Sequence, residues 1–108
     1  MADRRRAPHA GDMVTLHIEH SVSDFDTWRT AFARFADARR QAGVRSHVVR
    51  RPLDDERHVS IDLHFAEVEQ AVAFEHFLRS TVWVDPASSP ALRGTPTTSI
   101  LRDESVEP

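Results

Sequence analysis

The stretch MVTLHIEH, residues 13–20, decides the fold, because apolar and polar side chains alternate along it from Val14 onward. A period of two predicts a β-strand with one buried face and one polar face. The buried set is Val14, Leu16 and Ile18, and the polar set is Thr15, His17 and Glu19. The stretch HVSIDLHF, residues 58–65, repeats this pattern and predicts a second strand of the same kind.

Two amphipathic helices are predicted around these strands, because apolar residues recur there at spacings of three and four. The first begins at an N-cap on Ser23 or Asp24 and ends near Gly43, and the second runs from Ala66 to about Trp83. Phe77 falls on the face opposite the second helix's stripe. The stripes are Phe25, Trp28, Phe32 and Phe35 in the first helix, and Val68, Ala71, Phe74, Leu78 and Val82 in the second.

Two more strands, at about 44–51 and 97–102, complete the order β-α-β-β-α-β, and one extra helical turn is expected after Ser89-Pro90. The simplest compact form is an α+β, ferredoxin-like fold. It has one four-stranded antiparallel sheet, in the order 4-1-3-2, with two helices on one face. We expect a single domain over residues 13–102, between a flexible tail at 1–12 and a flexible acidic tail at 103–108.

The composition narrows the function. The 108 residues contain no Cys, Tyr, Lys or Asn, and all 14 basic residues are Arg. Missing Cys excludes disulfides and thiolate catalysis, and missing Lys excludes Schiff-base chemistry. A net charge of −3 gives no reason to expect nucleic acid as a partner. No apolar run is long enough to span a membrane, and we expect a cytoplasmic protein of bacterial type.

Three segments carry a resemblance to a known family: LHIEHSVSDFDTWRTAF at 16–32, VSIDLHF at 59–65 and PTTSIL at 96–101. They resemble the dimeric α/β-barrel superfamily, in particular small cyclase-like and monooxygenase-like proteins of actinobacteria. The resemblance covers residues 13–102. It implies a homodimer whose sheets pack into a barrel, with a cleft for a small molecule, often of secondary metabolism. Its oxygenases often use Asn and Tyr, which this chain lacks, so a cyclase-like activity is favoured.

The polar face of the sheet holds the candidate chemistry. The pairs His17-x-Glu19 and Asp62-x-His64 lie on strands predicted to be neighbours, and alternate residues share a face. His47 joins them in one of two registers of the second strand, where Val48 and Val49 compete for the buried side. A carboxylate beside an imidazole raises the histidine pKa and suits it to proton transfer. The predicted catalytic set is His17, Glu19, Asp62, His64 and His47.

Three interpretations of this patch stay open. The first, toward which we lean, is an enzyme with cyclase- or isomerase-like acid–base chemistry on a cyclic or carbonyl-bearing metabolite and no cofactor. In the second, His17, Glu19, Asp62 and His64 bind a divalent metal. In the third, the patch is an interface of a non-catalytic binding or stress protein. A cofactor-free monooxygenase is a further alternative. Aromatic side chains at Trp28, Phe77 and Trp83 are candidates to line the substrate pocket.

Overall fold

The computed structural model describes residues 13–106. It confirms the ferredoxin-like fold: a four-stranded antiparallel sheet in the order β2-β3-β1-β4. The predicted tail at 1–12 and residues 107–108 lie outside the described residues. The strands are β1 (Val14–Val22), β2 (Ser46–Arg50), β3 (His58–Phe65) and β4 (Leu92–Arg102), and the helices are α1 (Phe25–Arg34), α2 (Ala36–Ala42) and α3 (Val68–Phe77).

The core lies between the helices and the apolar face of the sheet. Leu16 on β1 and Phe65 on β3 are fully buried, because alternate strand residues all turn toward the helices. Trp28 of α1 and Phe74 of α3 pack on them from the helical side. The pairing of His17 with Asp62 across β1 and β3 then puts the polar residues of both strands on the uncovered face.

The prediction of one continuous first helix is wrong, because the helix is interrupted at Phe35, which separates α1 from α2. The Phe35 backbone leaves the helical region, at φ −98° and ψ 15°, and the Phe32 carbonyl accepts a hydrogen bond of 2.6 Å from the Arg39 guanidinium. A tertiary contact of this kind is not encoded by periodicity. The predicted end at Gly43 is confirmed, since Gly43 adopts φ +101° after the last turn.

The second predicted helix also changes character near its end. After α3, residues Leu78–Val82 form a wider π-helical turn, and the Trp83 amide bonds to the Leu78 carbonyl at 2.8 Å. The extra residue in this turn changes the direction of the side chains that follow. The extra helical turn expected after Ser89-Pro90 is wrong, because that segment forms non-helical turns before β4 begins at Leu92.

Within residues 13–106, no helix has the length and apolar character needed to cross a membrane.

Candidate functional site

A chain of alternating charges crosses the uncovered face of the sheet, with His17 at its centre. His17 Nδ1 lies 2.6 Å from an Asp62 oxygen, and His17 Nε2 lies 2.8 Å from a Glu19 oxygen. Arg50 contacts the other Asp62 oxygen at 3.0 Å, and His58 contacts the other Glu19 oxygen at 2.9 Å. We call these five residues the open-face network. It is half-buried, with 26% of the His17 side chain exposed.

The protonation of this network follows from its geometry. Both ring nitrogens of His17 face carboxylates, so the imidazolium, which has two N–H donors, satisfies both. Hydrogen bonds to Glu19 and then Asp62 raise the pKa of His17. Hydrogen bonds from His17 and His58 lower the pKa of Glu19. Burial raises the pKa of Asp62, but hydrogen bonds from His17 and Arg50 outweigh it, and the pKa is lowered. In this arrangement His17 has no lone pair with which to accept a proton.

Two predicted residues lie apart from this network. His64 is on the same face, but its Nδ1 bonds to the Thr15 hydroxyl at 3.0 Å. His47 is on the opposite face, because β2 pairs His47 with the buried Leu63 and places Val48 opposite Asp62. This register corrects the assignment of His47 to the polar patch. Its ring instead meets Phe32 edge-on at 5.2 Å, under the helices.

The metal interpretation required His17, Glu19, Asp62 and His64 to converge. In the part of the chain that the structure describes, no group of three or more His, Asp or Glu side chains is arranged to hold a metal ion. The carboxylates take both ring nitrogens of His17, and Thr15 takes one of His64.

Sequence reasoning left out two members of the network, His58 and Arg50. The alternation of β3 places His58 on the polar face with Asp62, but at the end of the strand nothing in the sequence distinguishes it from an ordinary surface histidine. Arg50 depended on the register of β2, which the sequence left open. Since Arg50 pairs with Ser60, next to Asp62 on the same face, its guanidinium reaches the Asp62 carboxylate.

An apolar cavity lies on the other side of the sheet, between β1, β3 and the helices. It encloses about 80 Å³, and Pro90 is the exposed residue of its wall. Binding pockets are mostly apolar and carry a few polar groups that orient the ligand. Here the polar side chains are those of His20, Arg39, Ser88 and Ser89. Large apolar side chains on its wall include Trp28, Phe32, Phe74, Leu78, Val82 and Trp83.

His20 is the imidazole of this cavity, and it is only 6% exposed. Its Nδ1 lies 2.9 Å from the Ser21 carbonyl, so Nδ1 carries the proton and donates it. The lone pair is then on Nε2, which has no hydrogen-bond partner among residues 13–106. Burial lowers the pKa of His20, the charge of His58 lowers it further, and the bond to Ser21 offsets part of this. His20 is therefore neutral at pH 7, with a free acceptor nitrogen.

A break in strand pairing accompanies His20. β1 and β4 pair regularly up to Glu19 and Thr97, and the register then shifts so that Ser21 pairs with Arg93. The additional β4 residues include Gly94, with φ +71°. Bulges of this kind bend a strand and redirect side chains, and they are frequent next to active sites. His20 faces the helices along with Ile18, so its place could have been found from the alternation of β1 alone.

The three predicted pocket aromatics fall in two places. Trp28 and Trp83 both line the apolar cavity. Phe77 does not: it packs beside Phe74, at 5.7 Å between ring centres, and faces a separate groove between α2 and α3. Its neighbours Phe74 and Leu78 do line the cavity, so Phe77 lies on the other side of the same helical segment, and Trp83 follows the π-helical turn.

The fold of this chain is similar to that of several known proteins. No protein-family model matches the chain, and no curated protein matches it. Solved structures do match. SnoaB, a cofactor-independent oxygenase from Streptomyces nogalater, has a TM-score of 0.66 at 17% identity, covering 90% of this chain and 98% of that one.

Two other solved structures agree. A protein from Deinococcus radiodurans, named as a proposed antibiotic biosynthesis monooxygenase, has a TM-score of 0.64 at 17% identity, over 88% of this chain and 96% of its own. A dimeric ferredoxin-like protein from an uncultured marine organism has a TM-score of 0.61 at 12% identity, over 83% and 94%. At these identities the likeness concerns the fold. The chain has the ferredoxin-like fold of these proteins over nearly its whole length.

Proposed function

We propose that the protein is a small-molecule enzyme in which His20 removes a proton from an aromatic, carbonyl-bearing metabolite bound in the apolar cavity. The observation that carries this proposal is the free Nε2 of a neutral, buried imidazole among aromatic side chains. A general base must be unprotonated at working pH and within reach of the substrate. His20 meets the first condition because burial lowers its pKa, and it meets the second because it lines the cavity.

This proposal moves the proton acceptor from His17 to His20. His17 is held as an imidazolium between Asp62 and Glu19, and its raised pKa favours that charged form. In our account the open-face network holds the sheet surface in one arrangement. Glu19 and His20 are consecutive on β1 and face opposite sides, so the strand connects the network to the cavity without placing them in one site.

The chemistry follows from one proton transfer. Removal of a proton from carbon next to a carbonyl gives an enolate. Return of the proton elsewhere completes an isomerisation, and attack of the enolate on a second carbonyl completes a cyclisation. Both agree with the cyclase- or isomerase-like activity expected from the sequence, and the proton transfer itself requires only His20.

The test uses 2-tetralone, a neutral two-ring ketone whose C1 hydrogens are acidic. Under nitrogen in D₂O, proton NMR follows loss of the C1 signal. We expect the protein to accelerate exchange above the buffer rate, and His20→Gln to lower the acceleration by about 100-fold or more, the usual contribution of a general base. His17→Gln is the matched control and keeps the rate. Loss of exchange in His17→Gln with retention in His20→Gln would reverse the assignment.

A cofactor-free oxygenase is the second candidate, and the names of the similar structures favour it. The same carbanion formed by His20 would combine with O₂ at that carbon by electron transfer, and the resulting peroxide would take the proton back from His20. Loss of water from the hydroperoxide then leaves a second carbonyl group. The test is an oxygen electrode with anthrone, a tricyclic ketone with an acidic methylene group. Protein-dependent O₂ uptake that His20→Gln abolishes supports this candidate. Exchange of 2-tetralone without any O₂ uptake on anthrone supports isomerase or cyclase chemistry instead.

We also propose that two copies associate through the uncovered sheet face. That face carries Val48 and the half-exposed Leu101 beside the open-face network. One similar structure is described as dimeric. Mass by light scattering tests this proposal.

A further inference from the structure

Arg39 is the charged side chain on the wall of the apolar cavity, and it has no part in the proton transfer proposed above. It lies on α2 and is 8% exposed. Its guanidinium sits 3.7 Å above the centre of the Phe32 ring, and its NH1 donates to the Phe32 carbonyl at 2.6 Å. An arginine has five N–H donors. Only this one is used among residues 13–106, and the side chain lines the cavity.

The charge of Arg39 has no counter-charge among residues 13–106. Four other arginines in that range form ion pairs, and all four are well exposed: Arg29, Arg40, Arg50 and Arg79, at 67%, 71%, 62% and 42%. Arg39 is the one buried arginine of that range, and it forms no ion pair there. A buried charge without a partner destabilises the folded protein, and a bound anion that pairs with the charge removes that cost.

Burial lowers the pKa of Arg39, and no carboxylate acts on it in the opposite direction. The charge of Arg39 acts on His47, whose pKa is lowered first by burial, then by that charge, and then by His64. No carboxylate contributes to that shift. A planar guanidinium with free donors, in such a place, matches the geometry of a carboxylate.

Arg39 and His20 lie at opposite ends of one aromatic wall. The His20 ring is 6.2 Å from the Trp28 ring, and the Trp28 ring stacks on Phe32 at 4.9 Å. The Arg39 guanidinium then covers Phe32. A flat molecule lying along this wall therefore meets the base at one end and the cation at the other.

We infer that Arg39 binds an anionic group of the substrate, which is a flat aromatic acid. Its carboxylate and its acidic proton stand at opposite ends of a ring system about two rings long. The inference rests on the proposed function for the position of the acidic proton, but the anion site stands on Arg39 alone. The volume of about 80 Å³ is below the 300–1,000 Å³ of typical pockets. A molecule held by both Arg39 and His20 therefore needs half-buried side chains of the wall, such as Trp83, to move outward when it binds.

The first experiment compares two probes of the same shape, 2-naphthoate and the neutral 2-naphthamide, by quenching of tryptophan fluorescence. We expect the carboxylate to bind at least about tenfold more tightly, the usual effect of one charge-assisted contact. Arg39→Gln removes this preference and Arg39→Lys keeps most of it. The matched control is Arg40→Gln, because Arg40 is the exposed neighbour that pairs with Asp37, and it leaves the preference intact.

A second pair of probes tests the opposite-end geometry. We expect 6-hydroxy-2-naphthoate, with its hydroxyl at the far end, to bind more tightly than 2-naphthoate. The isomer 3-hydroxy-2-naphthoate, with the hydroxyl beside the carboxylate, gains nothing. His20→Phe keeps a ring of similar size against Trp28 and removes the gain. Equal gains from both isomers would overturn the opposite-end geometry.

The anion site is overturned if naphthamide binds as tightly as naphthoate, if neither probe binds, or if Arg40→Gln weakens the preference as much as Arg39→Gln. Retained Arg39→Lys binding separates loss of charge from damage to the fold. Exchange of 2-tetralone does not require Arg39, because that ketone is neutral. Failure of exchange with an intact naphthoate preference therefore rejects the proposed function and leaves the anion site, and the reverse result rejects the anion site alone.

Discussion

Replacement of His17 by Ala tests the open-face network most sharply, because it removes the imidazole that contacts both Asp62 and Glu19. The Asp62 contact is the shorter and the more buried, at 2.6 Å with 18% of the Asp62 side chain exposed. A charge-assisted bond in such a place contributes about 1.5 kcal/mol. Glu19 is 43% exposed, so its contact is screened and contributes about 0.5 kcal/mol. We therefore expect the free energy of unfolding to fall by about 2 kcal/mol near pH 5.5.

The pH dependence of this loss has a definite sign. The folded pKa of His17 is raised, so its stabilisation is complete below its ordinary pKa of about 6.5 and disappears as the pH rises through the folded value. The pKa values of Glu19 and Asp62 are lowered, so their part is complete above their ordinary values and disappears at lower pH. The largest effect therefore lies between about pH 5 and 6.5.

The assay is urea unfolding followed by tryptophan fluorescence at pH 5.5 and 8.5, at one protein concentration. Arg29→Ala is the control, since its pair with Asp26 is exposed on both sides and its loss changes stability by less than about 0.5 kcal/mol. A His17→Ala loss of equal size at both pH values would refute the imidazolium between two carboxylates.

Three other predictions follow from particular residues. Gly43→Ala lowers the free energy of unfolding by more than about 1 kcal/mol, since Gly43 has φ +101° and an added Cβ meets the Gln70 side chain at 2.5 Å. Gly94→Ala is the comparison, because no atom obstructs a Cβ there. Equal losses in the two variants would refute a contribution from the contact with Gln70. Because burial lowers the pKa of His20, the stability of the wild-type protein falls as the pH drops below about 6.5. Urea unfolding at pH 7 and 5.5 measures this fall, and we expect it to be smaller in His20→Phe. Light scattering at micromolar concentration gives the mass of a dimer, and a monomer would reject the proposed use of the sheet face.

The sequence is sufficient to predict strand bounds and the faces of side chains where the alternation of buried and polar residues is regular. The strand at 58–65 has the predicted bounds, because every second residue is buried. The same logic places His17 beside Asp62 and puts His20 among the apolar residues of β1. The pattern by itself does not mark His20 as a catalytic residue, since a single buried histidine is more often structural than functional.

The rest depends on contacts that the spacing of apolar residues does not encode. Val48 and Val49 are equally apolar, so only pairing with β3 decides that His47 faces the helices. The interruption at Phe35 depends on Arg39 reaching the Phe32 carbonyl. Periodicity within one helix contains no information about such a contact.

The most direct test of the account is a titration of the imidazole nitrogens by long-range ¹H–¹⁵N NMR from pH 5 to 8, with and without 2-naphthol. We expect His20 to stay neutral, with its proton on Nδ1, well below the pH at which His17 loses its charge. We also expect 2-naphthol to shift the Nε2 signal of His20 and leave His17 unchanged. A charged His20 at pH 7, or a response to 2-naphthol at His17 and not at His20, would contradict the account.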